Sequence, residues 1–458
     1  MAGVRVHLGF PIGVVVRGEA GWISAIFSPT SGLARSSSGR GAGCSETDHI
    51  YHSLLFFAVA SQLLYLPRLH ANFSPMNVFQ SRWDSSSGWK LKSGVPTPDA
   101  QLVFVFGATE LLKRTELLVE IQAQNPVAVI FGCSTAGEIS GVEVTDNSLV
   151  VTSVHFDNTK IHVARVDLAE ADGSKTAGER LALALPGSLP GGEKINHVIV
   201  LSDGLKTNGS QLVEAMVRHV PASAVVTGGL AGDGARFAET LVLWDGAARP
   251  DTVVAVGFYG EGLSVGYSAF GGWDPFGPER RITRSRGNIL YELDGQSALM
   301  LYKKYLGDQA KDLPGSGLLF PLSLRINAAD PGLVRTILSV NETEQSITFA
   351  GDMPEGAYAR LMKANFDRLI DGAGHAAESS KLAGAEGSPD LAILISCVGR
   401  KLLLNQRIEE EVEAVRVALG KETVITGFYS YGEISPFSAG GKCELHNQTM
   451  TVIHLSES

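Results

Sequence analysis

The chain has 458 residues, of which 44% are hydrophobic and 19% are charged, and its formal net charge is -10. This length allows two or three domains with a full apolar core, and the composition is that of an ordered globular protein. The negative charge argues against nucleic acid as a partner, because phosphate binding needs a basic surface. Four scattered cysteines are too few for a disulfide framework and indicate a reducing, cytoplasmic location.

The first 75 residues differ in composition from the rest of the chain. They contain five arginines and no lysine, and an apolar run over residues 50–66 is short and polar for a membrane span. We expect residues 1–75 to be an extension outside the folded domains, with Met76 as the natural start of translation. A weak membrane anchor is the alternative.

From residue 76 onward, apolar runs of strand length alternate with segments of helical periodicity. A buried strand at 101–106, a helix at 110–124 and a strand at 127–131 form the first βαβ unit. The same alternation predicts further strands at 149–156, 161–166, 197–201, 224–227, 251–259, 263–269, 391–396 and 449–455, and helices at 211–219, 297–305, 356–371 and 408–419. Residues 372–388, rich in glycine, alanine and serine, are expected to form a flexible connection.

The phrase G-x-x-x-x-G-E-I-S occurs twice, at residues 132–140 and 427–435. Each copy follows a β-branched apolar run and precedes a second run with an asparagine, Asn147 or Asn447, 300 positions apart. A related block at 224–233 ends in Asp233 instead of glutamate. Because glycine lets a strand turn sharply, each copy is expected to present an acidic residue at a strand end. The phrase predicts a duplicated unit and a pocket rim rather than a catalytic motif.

Together these patterns predict an α/β protein of duplicated mixed β-sheets with flanking helices, in which two pseudo-repeat halves face a central cleft. We expect the two G-E-I-S turns and the loop around Trp273 to line this cleft. The resulting domains would span residues 76–260 and 261–458.

Several phrases in a fixed order resemble the FIST family, a sensory input domain of bacterial signalling proteins with an N-terminal and a C-terminal part. The matching phrases lie at residues 131–138, 228–233, 272–278, 293–295, 428–434 and 443–449. The resemblance runs from about residue 101 to the C terminus and implies a FIST N-terminal domain followed by a FIST C-terminal domain. It also implies a small-ligand sensor, and some stand-alone family members are haem proteins that sense nitric oxide and regulate a histidine kinase. Because no kinase or cyclase segment follows, we expect a stand-alone sensor that acts on a partner protein and is not an enzyme.

His446 is the leading candidate for an axial ligand of haem b, because one imidazole is enough to hold the iron. It forms a C-x-x-H pair with Cys443, which is only half of a zinc site. Cys443 itself is less favoured as a thiolate ligand, since Lys442 is its one basic neighbour. His155 is the next histidine to consider. The alternative for His446 is a histidine that is simply hydrogen-bonded at a strand end.

A second hypothesis is a non-haem receptor for a small metabolite such as an amino acid, with charges supplied by Glu433, Arg284 and Asp274. Aromatic residues among glycines and acids suit a pocket wall, although such residues often only fill turns. The further ligand-binding candidates from this pattern are Trp273, Tyr429, Tyr431 and Asn447.

A third hypothesis is a hydrolase that uses Cys133 or Ser134 as a nucleophile. A nucleophile elbow needs glycine where Ala136 stands, and a helix after the turn. Glu138 and a further strand follow instead, so acyl transfer is the least favoured alternative.

Overall fold

The computed structural model describes residues 76–327, 332–381 and 387–458, together with the backbone of three antiparallel strands near the N terminus. These strands, Val4–His7, Gly13–Gly18 and Gly21–Ile26, belong to a compact unit of residues 1–54. Most of the predicted extension, including the apolar run over 50–66, lies outside the described residues. The boundary at Met76 therefore stays a prediction.

Three mixed sheets form the body of the second compact unit, residues 55–458. The first sheet has the order Ala247–Arg249, Val242–Trp244, Val129–Ser134, Leu102–Gly107, Ser148–Phe156, Met76–Asp84 and Gly88–Ser93. The second has the order Lys160–Asp167, Thr252–Tyr259, Ile195–Ser202, Val225–Leu230, Gly432–Pro436 and Cys443–His446. The third has the order Leu263–Phe270, Met450–Glu457, Leu391–Cys397, Val424–Ser430, Glu138–Ser140 and Glu143–Thr145. The mixed α/β class with flanking helices is thus confirmed.

A fourth, antiparallel sheet is inserted into the chain between Leu263–Phe270 and Leu391–Cys397, two strands of the third sheet. Its order is Leu333–Arg335, Leu322–Arg325, Tyr358–Lys363, Asp274–Arg286, Ile289–Leu293, Ser346–Phe349 and Ile337–Asn341, with Gln296–Ser297 beside Ile289–Leu293. Over the described part of the chain, the α-helices are Thr109–Leu112, Thr115–Gln124, Ser174–Leu183, Gly209–His219, Ala298–Leu306, Phe366–Ser380, Val398–Leu404 and Ile408–Leu419. Short 3₁₀ helices occur at Gly307–Asp312, Gly315–Leu319 and Asn405–Arg407.

The first three sheets repeat one strand order. Three segments of the chain, residues 76–156, 160–259 and 263–457, each contribute four central strands to one sheet, and we call these segments the repeat units. When the four strands are numbered along the chain, their order in each sheet is first, fourth, second, third. The second and third strands of each unit are parallel, and the other pairs are antiparallel. The two copies seen in the sequence are therefore present, and the region between them forms a third copy.

Each unit donates the hairpin that follows its third strand to the sheet of another unit. The hairpin at 138–145 pairs with Val424–Ser430 in the third sheet. The hairpin at 432–446 pairs with Val225–Leu230 in the second sheet, and that at 242–249 pairs with the first sheet. The exchange closes a ring, so each of the three sheets is completed by residues of another unit.

Apolar side chains fill the space where the three sheets face one another. The rings of Phe106 and Phe428 lie 4.7 Å apart between the first and third sheets, and those of Phe156 and Phe258 lie 6.0 Å apart between the first and second. Helices cover the outer faces through further buried clusters. This dense packing at the centre leaves the G-E-I-S turns enclosed by protein.

One predicted helix differs from the structure. Residues 356–371 were expected to be helical, but Tyr358–Lys363 is a strand and the helix runs over Phe366–Ser380. Ala359 and Leu361 are buried while Tyr358 and Arg360 are exposed, which is the two-residue period of a strand. Asn365 caps the start of this helix, because its side chain accepts a hydrogen bond from the Arg368 amide. The helix occupies part of the predicted flexible connection.

Candidate functional site

One glycine in each repeat packs directly against a neighbouring strand. A Cβ atom at Gly132 or Gly228 would lie 1.8 Å from the carbonyl oxygen of Val105 or Val200, and one at Gly427 would lie 2.0 Å from that of Leu394. No side chain fits at such a distance, which explains the glycine that opens each phrase.

Backbone hydrogen bonds then join the three turns in a ring. The Ala136 amide donates to the Tyr429 carbonyl at 2.8 Å, and the Gly232 amide donates to the Ser134 carbonyl at 2.9 Å. The Tyr431 amide completes the ring by donating to the Leu230 carbonyl at 3.2 Å. In each bond the donor lies four residues after the repeat glycine and the acceptor lies two residues after another. The phrase therefore builds the centre of the fold.

The glutamates of the two phrases occupy matching, buried positions. Glu138 accepts hydrogen bonds from the hydroxyl of Thr135 at 2.6 Å, and from the amide and hydroxyl of Ser148 at 3.1 and 2.8 Å. Glu433 accepts from Ser430 at 2.7 Å, and from the amide and hydroxyl of Thr449 at 3.1 and 2.9 Å. Each carboxyl group clamps the start of its unit's last strand, a role that differs from an exposed pocket rim.

Burial raises the pKa of both carboxyl groups, to about 7 for Glu138 and about 8 for Glu433, and the hydrogen bonds oppose this shift. The clamp also changes which residues of the two copies correspond to each other. Ser148 matches Thr449, so Asn147 matches Gln448 and not Asn447. Both Asn147 and Gln448 have a positive φ, 56° and 62°.

His446 is fully buried beside the second clamp. Its Nε2 atom lies 2.7 Å from the Ser435 carbonyl, so Nε2 carries the proton and donates it. The ring of Phe437 meets the imidazole edge-on at 4.4 Å between centroids. Burial lowers the pKa of His446 to about 4, which keeps the ring neutral.

Buried polar atoms without a hydrogen-bond partner among the described residues cluster in the same segment. They are Nδ1 of His446, Oδ1 of Asn447, and Nε2 and Oε1 of Gln448. The backbone carbonyl of Gln448 accepts a 2.9 Å hydrogen bond from Nε1 of Trp273, so Trp273 and this segment are brought together. Such atoms are uncommon in protein interiors.

A haem group does not fit this segment as folded. Nε2 of His446 is committed to a carbonyl, and its free Nδ1 atom faces enclosed protein beside Phe437. A porphyrin would require the strand pair of the second sheet to open. The described residues also hold no group of three metal-binding side chains of the His, Cys, Asp and Glu types.

The next-best histidine lies elsewhere. His155 is on the first sheet, where Nδ1 is 3.0 Å from the Asp99 carbonyl and Nε2 is 3.2 Å from the Asp157 carboxylate. Asp274 forms an ion pair with Arg368 at the start of the helix Phe366–Ser380.

The three charges proposed for an amino-acid ligand are not brought together. Glu433 is enclosed in its clamp, whereas Asp274 and Arg284 lie at opposite ends of the strand Asp274–Arg286. Arg284 pairs with Glu292 at 3.1 Å and covers the ring of Tyr291.

Cys133, Ser134 and Cys443 are enclosed as well. Ser134 Oγ accepts a 2.8 Å hydrogen bond from the Leu241 amide, and burial raises the pKa of the Cys133 thiol. Cys443 Sγ lies 3.1 Å from the Val226 carbonyl, and burial raises its pKa too. A thiol that stays protonated is a poor nucleophile and a poor metal ligand.

Tyr429 and Tyr431 both hold the turn of the second phrase in place. The Tyr429 hydroxyl donates to Glu411 at 2.7 Å. The Tyr431 hydroxyl is hydrogen-bonded to Asp233, the acidic residue of the middle repeat, and its ring stacks on Phe237 at 4.4 Å.

A fully buried ion pair links this turn to the loop before the fourth sheet. Arg400 bonds Glu411 through Nε at 2.9 Å and Nη2 at 2.8 Å. The same guanidinium donates to the carbonyls of Gly271 at 2.6 Å and Leu369 at 2.7 Å. Every charged atom of the pair is thus hydrogen-bonded, as a buried ion pair requires.

The fourth sheet contains a small cavity that is partly open to solvent. Most of its walls are apolar, with one charged side chain and two tyrosines: Phe276, Gly277, Pro278, Arg280, Leu293, Ala298, Leu301, Tyr302, Tyr305, Leu322, Ile347, Ala359 and Leu361.

Two phrases of the family resemblance meet at this cavity. Residues 276–278 of the first phrase form a bulge between two register positions of the sheet, and Gly277 has a φ of 83°. Leu293 of the second phrase lines the wall, and Asp294 binds Arg280 at 3.0 Å. Both phrases are visible in the sequence, whereas Arg280 and Tyr305 lie in no recognisable sequence pattern.

The structure is that of a mixed α/β protein with a cavity in an inserted antiparallel sheet. The chain belongs to the FIST family: the FIST N domain matches residues 101–296 and the FIST C domain matches residues 298–436. These domains place it among sensory, signal-transducing proteins that bind ligands.

A relative is the uncharacterized protein MJ1623 of Methanocaldococcus jannaschii, which is 23% identical over 332 residues. The alignment covers 69% of this chain and 63% of the relative, so the chain spans less than two thirds of that protein's length. Within the described residues, the longest apolar helices are too short or too polar to cross a membrane.

Proposed function

We propose that this protein is a sensor that binds a small molecule in the cavity of the fourth sheet and signals to a partner protein. The observation that carries the proposal is the meeting of two family phrases, at 272–278 and 293–295, around one apolar cavity. In this proposal the protein acts by binding and not by catalysis. Ser134 is buried and hydrogen-bonded, and Cys133 is buried with a raised pKa that keeps its thiol protonated.

The loop before the cavity strand offers a route from the ligand to the body of the protein. The strand that carries Phe276 begins directly after Trp273, which donates to the Gln448 carbonyl. The Gly271 carbonyl accepts from Arg400, so the loop is fixed to the buried ion pair. A ligand that moves Phe276 would change the hydrogen bonds of Trp273 and Gly271, which join the fourth sheet to the second and third.

Titration with the neutral probe 3-phenylpropan-1-ol tests the cavity. We expect calorimetric binding to the unaltered protein and its loss in Ala359→Leu, because Ala359 lines the cavity and the added atoms occupy it. Ala357→Leu is the matched control, since Ala357 is equally buried in the same apolar cluster but does not line the cavity. Hydrogen exchange should also slow at residues 271–273 when the probe binds.

Equal binding by the two variants, or none by the unaltered protein, would exclude the cavity as the ligand site.

Haem-based nitric oxide sensing through a partner histidine kinase is the second candidate. The unpartnered Nδ1 of His446 favours a polar ligand there, although the enclosed segment does not accommodate haem as folded. Protein expressed with haem supply would show a Soret band that moves with nitric oxide and is displaced in His446→Ala. Absence of the band would leave the cavity as the remaining site.

A further inference from the structure

Arg280 provides the charge among the side chains that line the cavity. Its Nε and Nη2 atoms donate to the Tyr305 hydroxyl at 3.2 and 2.6 Å, and Nη1 donates to Asp294 at 3.0 Å. A guanidinium has five N–H donors, so two remain without a partner among the described residues. These bonds and the nearby charges raise the pKa of Arg280 further, so the side chain stays positive.

Tyr305 adds a second donor at the same place. Its hydroxyl oxygen accepts both bonds from Arg280, which leaves its own proton available to an incoming group. Asp294, the acid that binds Arg280, accepts a further hydrogen bond at its other oxygen from the Arg281 amide at 2.9 Å. The polar end of the cavity therefore offers hydrogen-bond donors and a positive charge.

We infer that the cavity binds a small organic anion, a carboxylate on an apolar body. The carboxylate accepts the free N–H groups of Arg280 and the Tyr305 hydroxyl, and the body packs against Leu293, Leu301 and Leu361. A cation would meet Arg280 as a like charge, and a neutral polar ligand would lose the charge-assisted bonds. This inference rests on the proposed function and names the ligand class of its site.

Paired probes test the charge requirement. The affinity of 3-phenylpropanoate is compared with that of its neutral counterparts, 3-phenylpropanamide and 3-phenylpropan-1-ol, by calorimetry at neutral pH. We expect the carboxylate to bind at least about ten-fold more tightly, the size typical of hydrogen bonds to a charged group. Arg280→Gln should weaken carboxylate binding about ten- to a hundred-fold and leave binding of the alcohol unchanged. Tyr305→Phe should weaken carboxylate binding several-fold.

Arg281→Gln is the matched control, because it removes the same charge from the adjacent position of the strand, where side chains alternate between faces. Its affinity for both probes should equal that of the unaltered protein. Retained binding of the alcohol by Arg280→Gln shows that this variant is folded.

The outcomes separate the inference from the proposed function. If the amide binds as tightly as the carboxylate, or if Arg281→Gln weakens the carboxylate as much as Arg280→Gln does, the inference is overturned while the cavity remains a ligand site. If all three probes fail to bind, the proposed function is overturned with it.

Discussion

At the scale of single residues, the acidic position of the repeated phrase is a structural clamp. Glu433 is enclosed, and each of its oxygens accepts hydrogen bonds from Ser430 or Thr449. The sequence carried a signal for this role, because a hydroxyl residue stands three positions before the glutamate in both copies. That signal could not be interpreted alone, since the second partner is brought in by the hairpin and the last strand.

The clamp makes stability depend on pH. The pKa of Glu433 is about 8 in the folded protein, above the usual 4.5, so the folded state holds a proton that the unfolded state has already lost. The contribution of this group to stability is therefore full below about pH 4.5 and falls as the pH rises to about 8. Glu433→Gln mimics the protonated form. Between pH 6 and pH 8 its free energy of unfolding should therefore fall by roughly 1 to 2 kcal/mol less than that of the unaltered protein.

Urea unfolding at the two pH values measures this difference. Glu422→Gln, at an exposed side chain, is the control and should keep the pH dependence of the unaltered protein. The same pH dependence in Glu433→Gln would rule out a protonated clamp.

At the scale of elements, the repeat glycines allow the parallel strands to approach. The carbonyl of Leu394 lies where a Cβ of residue 427 would stand, and the same contact recurs at Gly132 and Gly228. The sequence predicts that these glycines let the strands turn. The structure shows that close approach between strands is the stronger constraint.

Gly427→Ala should therefore destabilise the protein by about 3 kcal/mol or more, because its Cβ overlaps backbone that cannot rotate away. Gly315→Ala is the matched control: nothing lies within 4 Å of its added Cβ, and we expect a change within about 0.5 kcal/mol. Thermal and urea unfolding compare the two. Similar stabilities would show that the strands separate at little cost.

At the scale of the whole molecule, the exchange of hairpins joins the part of the chain that matches the FIST N domain to the part that matches the FIST C domain. The hairpin at 432–446 completes the second sheet, while the hairpin at 138–145 completes the third. Sheets without these hairpins expose unpaired edges and buried apolar faces.

Fragments 76–260 and 261–458 test how far the predicted domains are independent. We expect each alone to be insoluble or to lack a cooperative melting transition, because each leaves a sheet of the other incomplete. Co-expression should restore a soluble complex, since the exchanged hairpins then find their sheets. A sharp melting transition of fragment 76–260 alone would contradict this expectation and support independent domains.

The sequence by itself determined the local structure and the family phrases. Apolar runs and helical periods placed strands such as Leu391–Cys397 and the helix Ile408–Leu419, because burial and hydrogen bonding follow from the local pattern. The paired phrases revealed the repeat. The order of strands, the third copy and the exchange of hairpins were decided only by the tertiary structure, since pairing across hundreds of residues leaves no local period. The same holds for the cavity, where Arg280 and Tyr305 meet only because the inserted sheet folds back on the helix Ala298–Leu306.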